Sequence, residues 1–155
     1  DIHPQRLTLA RELGATDVID ARRQDVAATI AELTGGAGVQ GAVETSGNPH
    51  ALQTAIRSLA AAGTCVVIGV PPHGEPGSFD VVDVVSRGLR IVGTNQGGAN
   101  PRVTIPRLVD LHLRGWLPVE RIVTTFAFAA INEAAAASLD GCVIKPVLLI
   151  GTGAA

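Results

Sequence analysis

Three segments of the 155-residue sequence combine residue types that could do chemistry. The first is Asp1-Ile2-His3-Pro4-Gln5-Arg6, which leads into a helical pattern. An acid at the carboxyl end of a strand, in a nucleotide-binding sheet, can accept both ribose hydroxyls of an adenosine. The same carboxylate would repel a 2′-phosphate and so favours NAD over NADP. Arg6, one helical turn on, could bind the same ribose. Taken alone, the pair also reads as a solvated terminal Asp and a surface Arg.

The second segment is Val66-Val67-Ile68-Gly69-Val70-Pro71-Pro72. An apolar strand ends on a glycine and two prolines, and ligands of open α/β sheets lie beyond strand carboxyl ends. A glycine there would let a flat ring approach the backbone, and the prolines fix the exit. A strand running into a rigid loop has the same signature. The third segment, Ile91-Val92-Gly93-Thr94-Asn95-Gln96-Gly97-Gly98, repeats the strand-then-glycine logic.

Metal chemistry has little to work with. Cys65 falls in an apolar strand and Cys142 opens another, without ligand spacing, and both read as apolar fillers. His3, His50, His73 and His112 are scattered. Residues 34–38, Thr-Gly-Gly-Ala-Gly, are glycine-rich but precede a strand, the wrong order for a phosphate-cradling turn.

The elements that must position these residues alternate. Helical spacing and caps predict helices over 4–13, 25–33, 48–62, 81–86, 104–114 and 130–139. Pro4 and the Asn48-Pro49 pair suit helix starts. Apolar runs predict strands over 17–20, 39–45, 64–70, 89–95, 123–128 and 142–150. Residues 71–78 read as a Pro/Gly loop and 151–155 as a small-residue tail. Alternating strands and helices predict an α/β fold with a parallel sheet covered on both faces. That architecture hosts many functions.

Composition narrows the classes. The chain is 46% hydrophobic, enough for a real core and too much for a disordered chain. Twelve basic against fourteen acidic residues leave a net charge of −2, without the basic excess of a nucleic-acid binder. Aromatics are 3% with no Tyr, which argues against a base-stacking surface. The apolar runs stop short of the roughly 20 residues of a membrane helix. Glycine, at 18 residues, is above the usual share of about 7%. Eleven Arg against one Lys, with abundant Ala, suggest a GC-rich genome.

Together these segments resemble the zinc-dependent medium-chain alcohol dehydrogenase family. The resemblance runs over 1–150 and includes Arg11-Glu12-Leu13-Gly14-Ala15-Thr16, Glu44-Thr45-Ser46-Gly47, Ile131-Asn132-Glu133-Ala134 and the stretch from Gly141 to Lys145. The 44–49 segment and the loop into Phe79-Asp80-Val81 look most like the aryl- or benzyl-alcohol branch. The resemblance implies a Rossmann-like parallel sheet lacking its first two strands, over 1–95. It implies a carboxyl-terminal segment of the catalytic domain over 96–150. By the same resemblance Asp1 and Arg6 bind the adenosine ribose of NAD, and Ser46 and Asn48 line the cofactor cleft. Ile68, Thr94 and Gln96 hold the nicotinamide carboxamide with backbone groups, and Val70 packs on the ring. Lys145, the single lysine, neutralises the pyrophosphate, where the family often has arginine, so a bidentate contact becomes a point charge.

The family's zinc ligands and its Gly-x-Gly-x-x-Gly turn are not in the sequence, so zinc is expected only in a missing amino-terminal half. The expected activity is hydride transfer between an alcohol or aldehyde, of aromatic type in that branch, and NAD. The 155 residues alone are expected to be inactive. With a strand order of 3-2-1-4-5-6, loss of the first two strands leaves the 39–45 strand as a raw apolar edge. Poor stability or dependence on a partner is the expectation. A homo-oligomer through the strand from Leu89 to Asn95, and a cytoplasmic location, are expected too. The alternatives are a non-catalytic remnant that keeps nucleotide binding or oligomerisation, and a zinc-free quinone oxidoreductase relative using NADPH, which Asp1 disfavours.

Overall fold

In the computed structural model, which describes residues 1–151, the chain divides into two compact units, 1–98 and from 99 onward. Residues 152–155 of the expected tail lie outside the described residues.

The first unit opens with α1 (Pro4–Glu12) and α2 (Val26–Leu33). Pro4 stands in the first turn of α1, and the Asp25 carboxylate accepts from the Ala28 N–H to cap α2. A parallel three-stranded sheet follows, formed by β1 (Val39–Glu44), β2 (Leu59–Val67) and β3 (Arg90–Gly93) in that order. The crossovers are α3 (Pro49–Arg57) and α4 (Val81–Arg87). The Asn48 and Asp80 side chains cap them. Register places Ala42 opposite Cys65, Cys65 opposite Ile91, and Glu44 opposite Val67. The core is Ile56, Leu59, Cys65 and Leu89, with Val39, Leu52, Val84 and Ile91 packed around it.

The second unit carries α5 (Pro101–Leu113), β4 (Val123–Ala127), α6 (Ile131–Leu139) and β5 (Lys145–Leu149). β4 and β5 pair in parallel, with Phe126 opposite Leu148. α6 connects them and packs on both, burying Ala134. The α/β class with parallel pairing and helical crossovers is the one the sequence predicts.

Four expected elements are corrected. Residues 17–20 form no strand. Asp1 N–H donates to the Ile19 carbonyl and, just past this stretch, Ala21 N–H donates to the Asp1 carbonyl, and one residue is too short a neighbour to make a ladder. The helix expected to reach residue 62 ends at Arg57. Leu59 is already paired with Val39, and the extra residues before Thr64 form a bulge in which Ala62 takes a φ of 59°. The Ala-rich stretch has helix propensity, and the bulge in the sheet overrides it. Finally, β3 and β5 are shorter than expected: the Leu89 N–H closes α4 on the Val84 carbonyl, and the Val143 N–H closes α6 on the Ala137 carbonyl.

Candidate functional site

The carboxyl ends of β1, β2 and β3 lie side by side, because the three strands are parallel and adjacent. Ser46 and Asn48 follow β1, Ile68 and Val70 follow β2, and Thr94 follows β3. Gln96 opens the turn Gln96–Gly98 just beyond. Val70 is 86% exposed, an unusual state for a valine beside a core strand. Thr94 N–H donates to the Val67 carbonyl at 3.2 Å, which extends the β2–β3 pairing by one step.

A carboxylate missed as a site residue in the sequence organises these ends. Glu44, the last residue of β1, is only 5% exposed. Its Oε1 accepts from the Ser46 N–H at 2.6 Å and the Ser46 hydroxyl at 2.5 Å. Its Oε2 accepts from the Gly47 N–H at 3.3 Å. Its main-chain carbonyl accepts from the Ile68 and Gly69 N–H groups at 2.8 and 3.0 Å. Asn48 N–H donates to the Ser46 Oγ, while the Asn48 Oδ1 caps α3. The only advance signal was the run Glu44-Thr45-Ser46-Gly47 itself; a glutamate is normally exposed.

Gly69 has a packing role that the sequence does not suggest. The space a Cβ would fill there is occupied by Gly47 and the Glu44 carboxylate, so the glycine admits the neighbouring turn. Beneath this interlock lies a cavity of about 40 Å³ walled by Glu44, Pro49, Leu52, Val67 and Pro71 among others. A wider cleft of about 550 Å³ lies along α3 and α4, among Gln53, Arg57, Phe79, Asp83 and Arg87. Phe79 and Asp80, singled out in the sequence for their likeness to the aryl-alcohol branch, line it, and none of the residues expected to bind the cofactor does.

Asp1 and Arg6 stand together at the start of α1. Asp1 Oδ1 accepts from the Ile2 and His3 N–H groups at 2.6 and 2.9 Å, and Oδ2 lies 3.9 Å from Arg6 Nη1. Lys145 opens β5 in the second unit, its N–H donating to the Ile122 carbonyl at 3.1 Å. Cys65 is fully buried in β2 and Cys142 is exposed, both as free thiols. Among the described residues no three His, Cys, Asp or Glu side chains converge to hold a metal. No helix there is long and apolar enough to cross a membrane.

Residues 1–113 match the family model described as zinc-binding dehydrogenase. The chain belongs to the zinc-binding dehydrogenase family. Among its curated relatives is the geraniol dehydrogenase of Castellaniella defragrans, 35% identical over 145 residues, or 93% of this chain and 39% of the relative. Solved relatives include the benzyl alcohol dehydrogenase of Acinetobacter calcoaceticus, at 39% identity and a TM-score of 0.94 over 97% of this chain and 41% of that one. Another is an alcohol dehydrogenase zinc-binding domain protein from Burkholderia ambifaria, at 42% identity and a TM-score of 0.93 over 97% of this chain and 40% of that one. This zinc-binding dehydrogenase chain therefore spans about two-fifths of the length of the relatives it matches.

Proposed function

We propose that this chain is the cofactor-binding and carboxyl-terminal part of a zinc-dependent dehydrogenase that passes hydride between an alcohol and NAD. The observation that carries the reading is the alignment of Ser46, Ile68, Val70 and Thr94 at three adjacent parallel strand ends, where ligands of open α/β sheets bind. An aromatic alcohol is the favoured substrate class, on the strength of the likeness to benzyl alcohol dehydrogenase.

Each residue then has a task. Asp1 accepts the adenosine ribose hydroxyls and repels a 2′-phosphate, with Arg6 beside it. Ser46 and Asn48 line the cleft. Backbone groups of Ile68, Thr94 and Gln96 hold the carboxamide, Val70 covers the ring, and Lys145 counters pyrophosphate charge. The donor set suits a dinucleotide: a carboxylate for hydroxyls, an exposed valine for a flat ring, and main-chain groups for an amide. Zinc, when bound, would polarise the alcohol oxygen, and its ligands are proposed to lie outside these residues. By itself the 155-residue chain is accordingly proposed to bind cofactor without turnover. The open edge of β3, with Val92 exposed, is the proposed contact for a second copy. The cytoplasm is the proposed setting, since both cysteines are free thiols, the form a reducing compartment keeps.

The test is steady-state oxidation of aromatic and aliphatic alcohols by the natural polypeptide that carries this sequence, with NAD and NADP in parallel. Faster turnover of benzylic alcohols with NAD is expected. No alcohol oxidation with NAD overturns the reading, and a preference for NADPH with quinones would replace it by the quinone oxidoreductase alternative.

A further inference from the structure

We propose that Glu44 is a positioning residue for the nicotinamide end of the cofactor site, an inference that rests on the function proposed above. Glu44 and Ser58 are the only buried polar or charged residues among those described, and Glu44 is the only carboxylate among the buried residues. Taking a carboxylate out of water is costly unless its oxygens are hydrogen-bonded. Its oxygens here accept from the Ser46 N–H and hydroxyl and the Gly47 N–H, all within the turn that follows β1. Its backbone carbonyl simultaneously accepts from the Ile68 and Gly69 N–H groups at the end of β2. One residue thus fastens both segments that carry Ser46, Asn48, Ile68 and Val70.

The geometry propagates outward. Ser46 Oγ, held by Glu44, accepts from the Asn48 N–H at 3.1 Å and so orients the start of α3. Glu44 Oε2 stands 2.6 Å from where a Gly69 Cβ would be, so the carboxylate also sets how closely the two strand ends approach. Asp1, at the adenosine end, is tied elsewhere: its backbone bonds run to Ile19 and Ala21. Loss of the Glu44 charge should therefore disturb one end of a bound dinucleotide and spare the other. A glutamine keeps the shape, and its Nε2 cannot accept from an N–H.

The experiment compares two ligands on the natural polypeptide. NADH binding is read by the fluorescence of its nicotinamide, and AMP binding by calorimetry. Glu44→Gln is expected to weaken NADH about tenfold, the cost of one hydrogen bond to a charged acceptor, and to leave AMP unchanged. Unchanged AMP binding also reports an intact fold. Ser46→Ala, which removes one of the three donors, is expected to shift NADH alone, by less. If Glu44→Gln does not fold, Glu44→Asp, which keeps the charge and withdraws it by one methylene from the Ser46 and Gly47 donors, decides the matter by the same split. Equal weakening of both ligands, or of neither, overturns the positioning role. Wild-type protein that binds neither ligand overturns the cofactor reading instead.

Discussion

A Cβ built on Gly69 would stand 2.1 Å from the backbone nitrogen of Gly47. The reverse also holds: a Cβ on Gly47 would lie 2.5 Å from the Val70 carbonyl oxygen, and Gly47 has a φ of 69°. These two glycines let the turns beyond β1 and β2 interlock backbone to backbone. The obstructing atoms are main chain, which cannot swing aside as a flexible side chain can.

Gly69→Ala should therefore destabilise the first unit by about 1–3 kcal/mol, the usual cost of overpacking. Gly47→Ala adds the strain of a left-handed conformation to the clash. Urea denaturation midpoints measure both. A Gly69→Ala protein with an unchanged midpoint would show that the strand ends can part freely.

Arg87 links α4 to the end of α3. Its Nη1 donates to the Leu59 carbonyl and its Nη2 lies 3.5 Å from the Ile56 carbonyl oxygen. The Ile56 carbonyl lies in the last turn of α3, where acceptors lack intrahelical donors, and Leu59 opens β2. Asp83, one turn earlier on α4, holds the guanidinium through two hydrogen bonds. The Arg87 hydrogen bond keeps the Asp83 carboxyl below its ordinary range. A lowered folded pKa contributes stability that is complete above the unfolded value and lost as pH falls through the folded one. Asp83→Asn should thus cost most at neutral pH, and the gap from wild type should close in acid. A gap that stays constant from neutral pH into strong acid would remove the carboxylate from the account.

Much of this was legible in the sequence where local chemistry decides. Asn48 is expected to open its helix, and its side chain accepts from the His50 N–H. Asn100 caps α5 in the same way, and α5 starts three residues before the expected 104. The run Thr64 to Val67 is strand because both faces are covered. Residues 17–20, a Val-Ile pair between two aspartates, also read as a short strand, yet a strand is a pairing, and the neighbour is a property of the fold. The same limit hid Glu44. Its three side-chain bonds are local, but the two bonds to Ile68 and Gly69 depend on β1 and β2 being adjacent. Periodicity reveals that a strand exists and leaves open what stands beside its last residue.

The two thiols should behave oppositely. Burial pushes the Cys65 thiol up, and the nearby Glu44 charge adds to this. Its thiolate is accordingly scarce, and its access is closed. Cys142 is exposed. Mass spectrometry after brief treatment with a maleimide should find Cys142 modified and Cys65 untouched, with Cys65 reacting only once denaturant is added. Early labelling of Cys65 in native protein would mean that β2 opens readily, which its central place in the sheet argues against.

The strands flanking β2 have the opposite character. β1 pairs with β2 on one side only, so half of its N–H and C=O groups face outward, and Val43 is 62% exposed on its surface. An edge of this kind is a template for another strand, and it carries no lysine, proline or inward charge from Val39 to Val43 to discourage pairing. Glu44, the one acid at its end, is turned inward and occupied by Ser46 and Gly47. Produced as 155 residues, the protein should self-associate with rising concentration, visible as growing light scattering. Gly41→Pro would remove one donor from β1, and Val43→Lys would place a charge on its exposed face. Val43→Lys should reduce the scattering several-fold while sparing the fold, because that side chain is largely in solvent. A monodisperse monomer with a single cooperative thermal transition would mean that the bare edge is tolerated, and that the three-stranded sheet is stable without a partner.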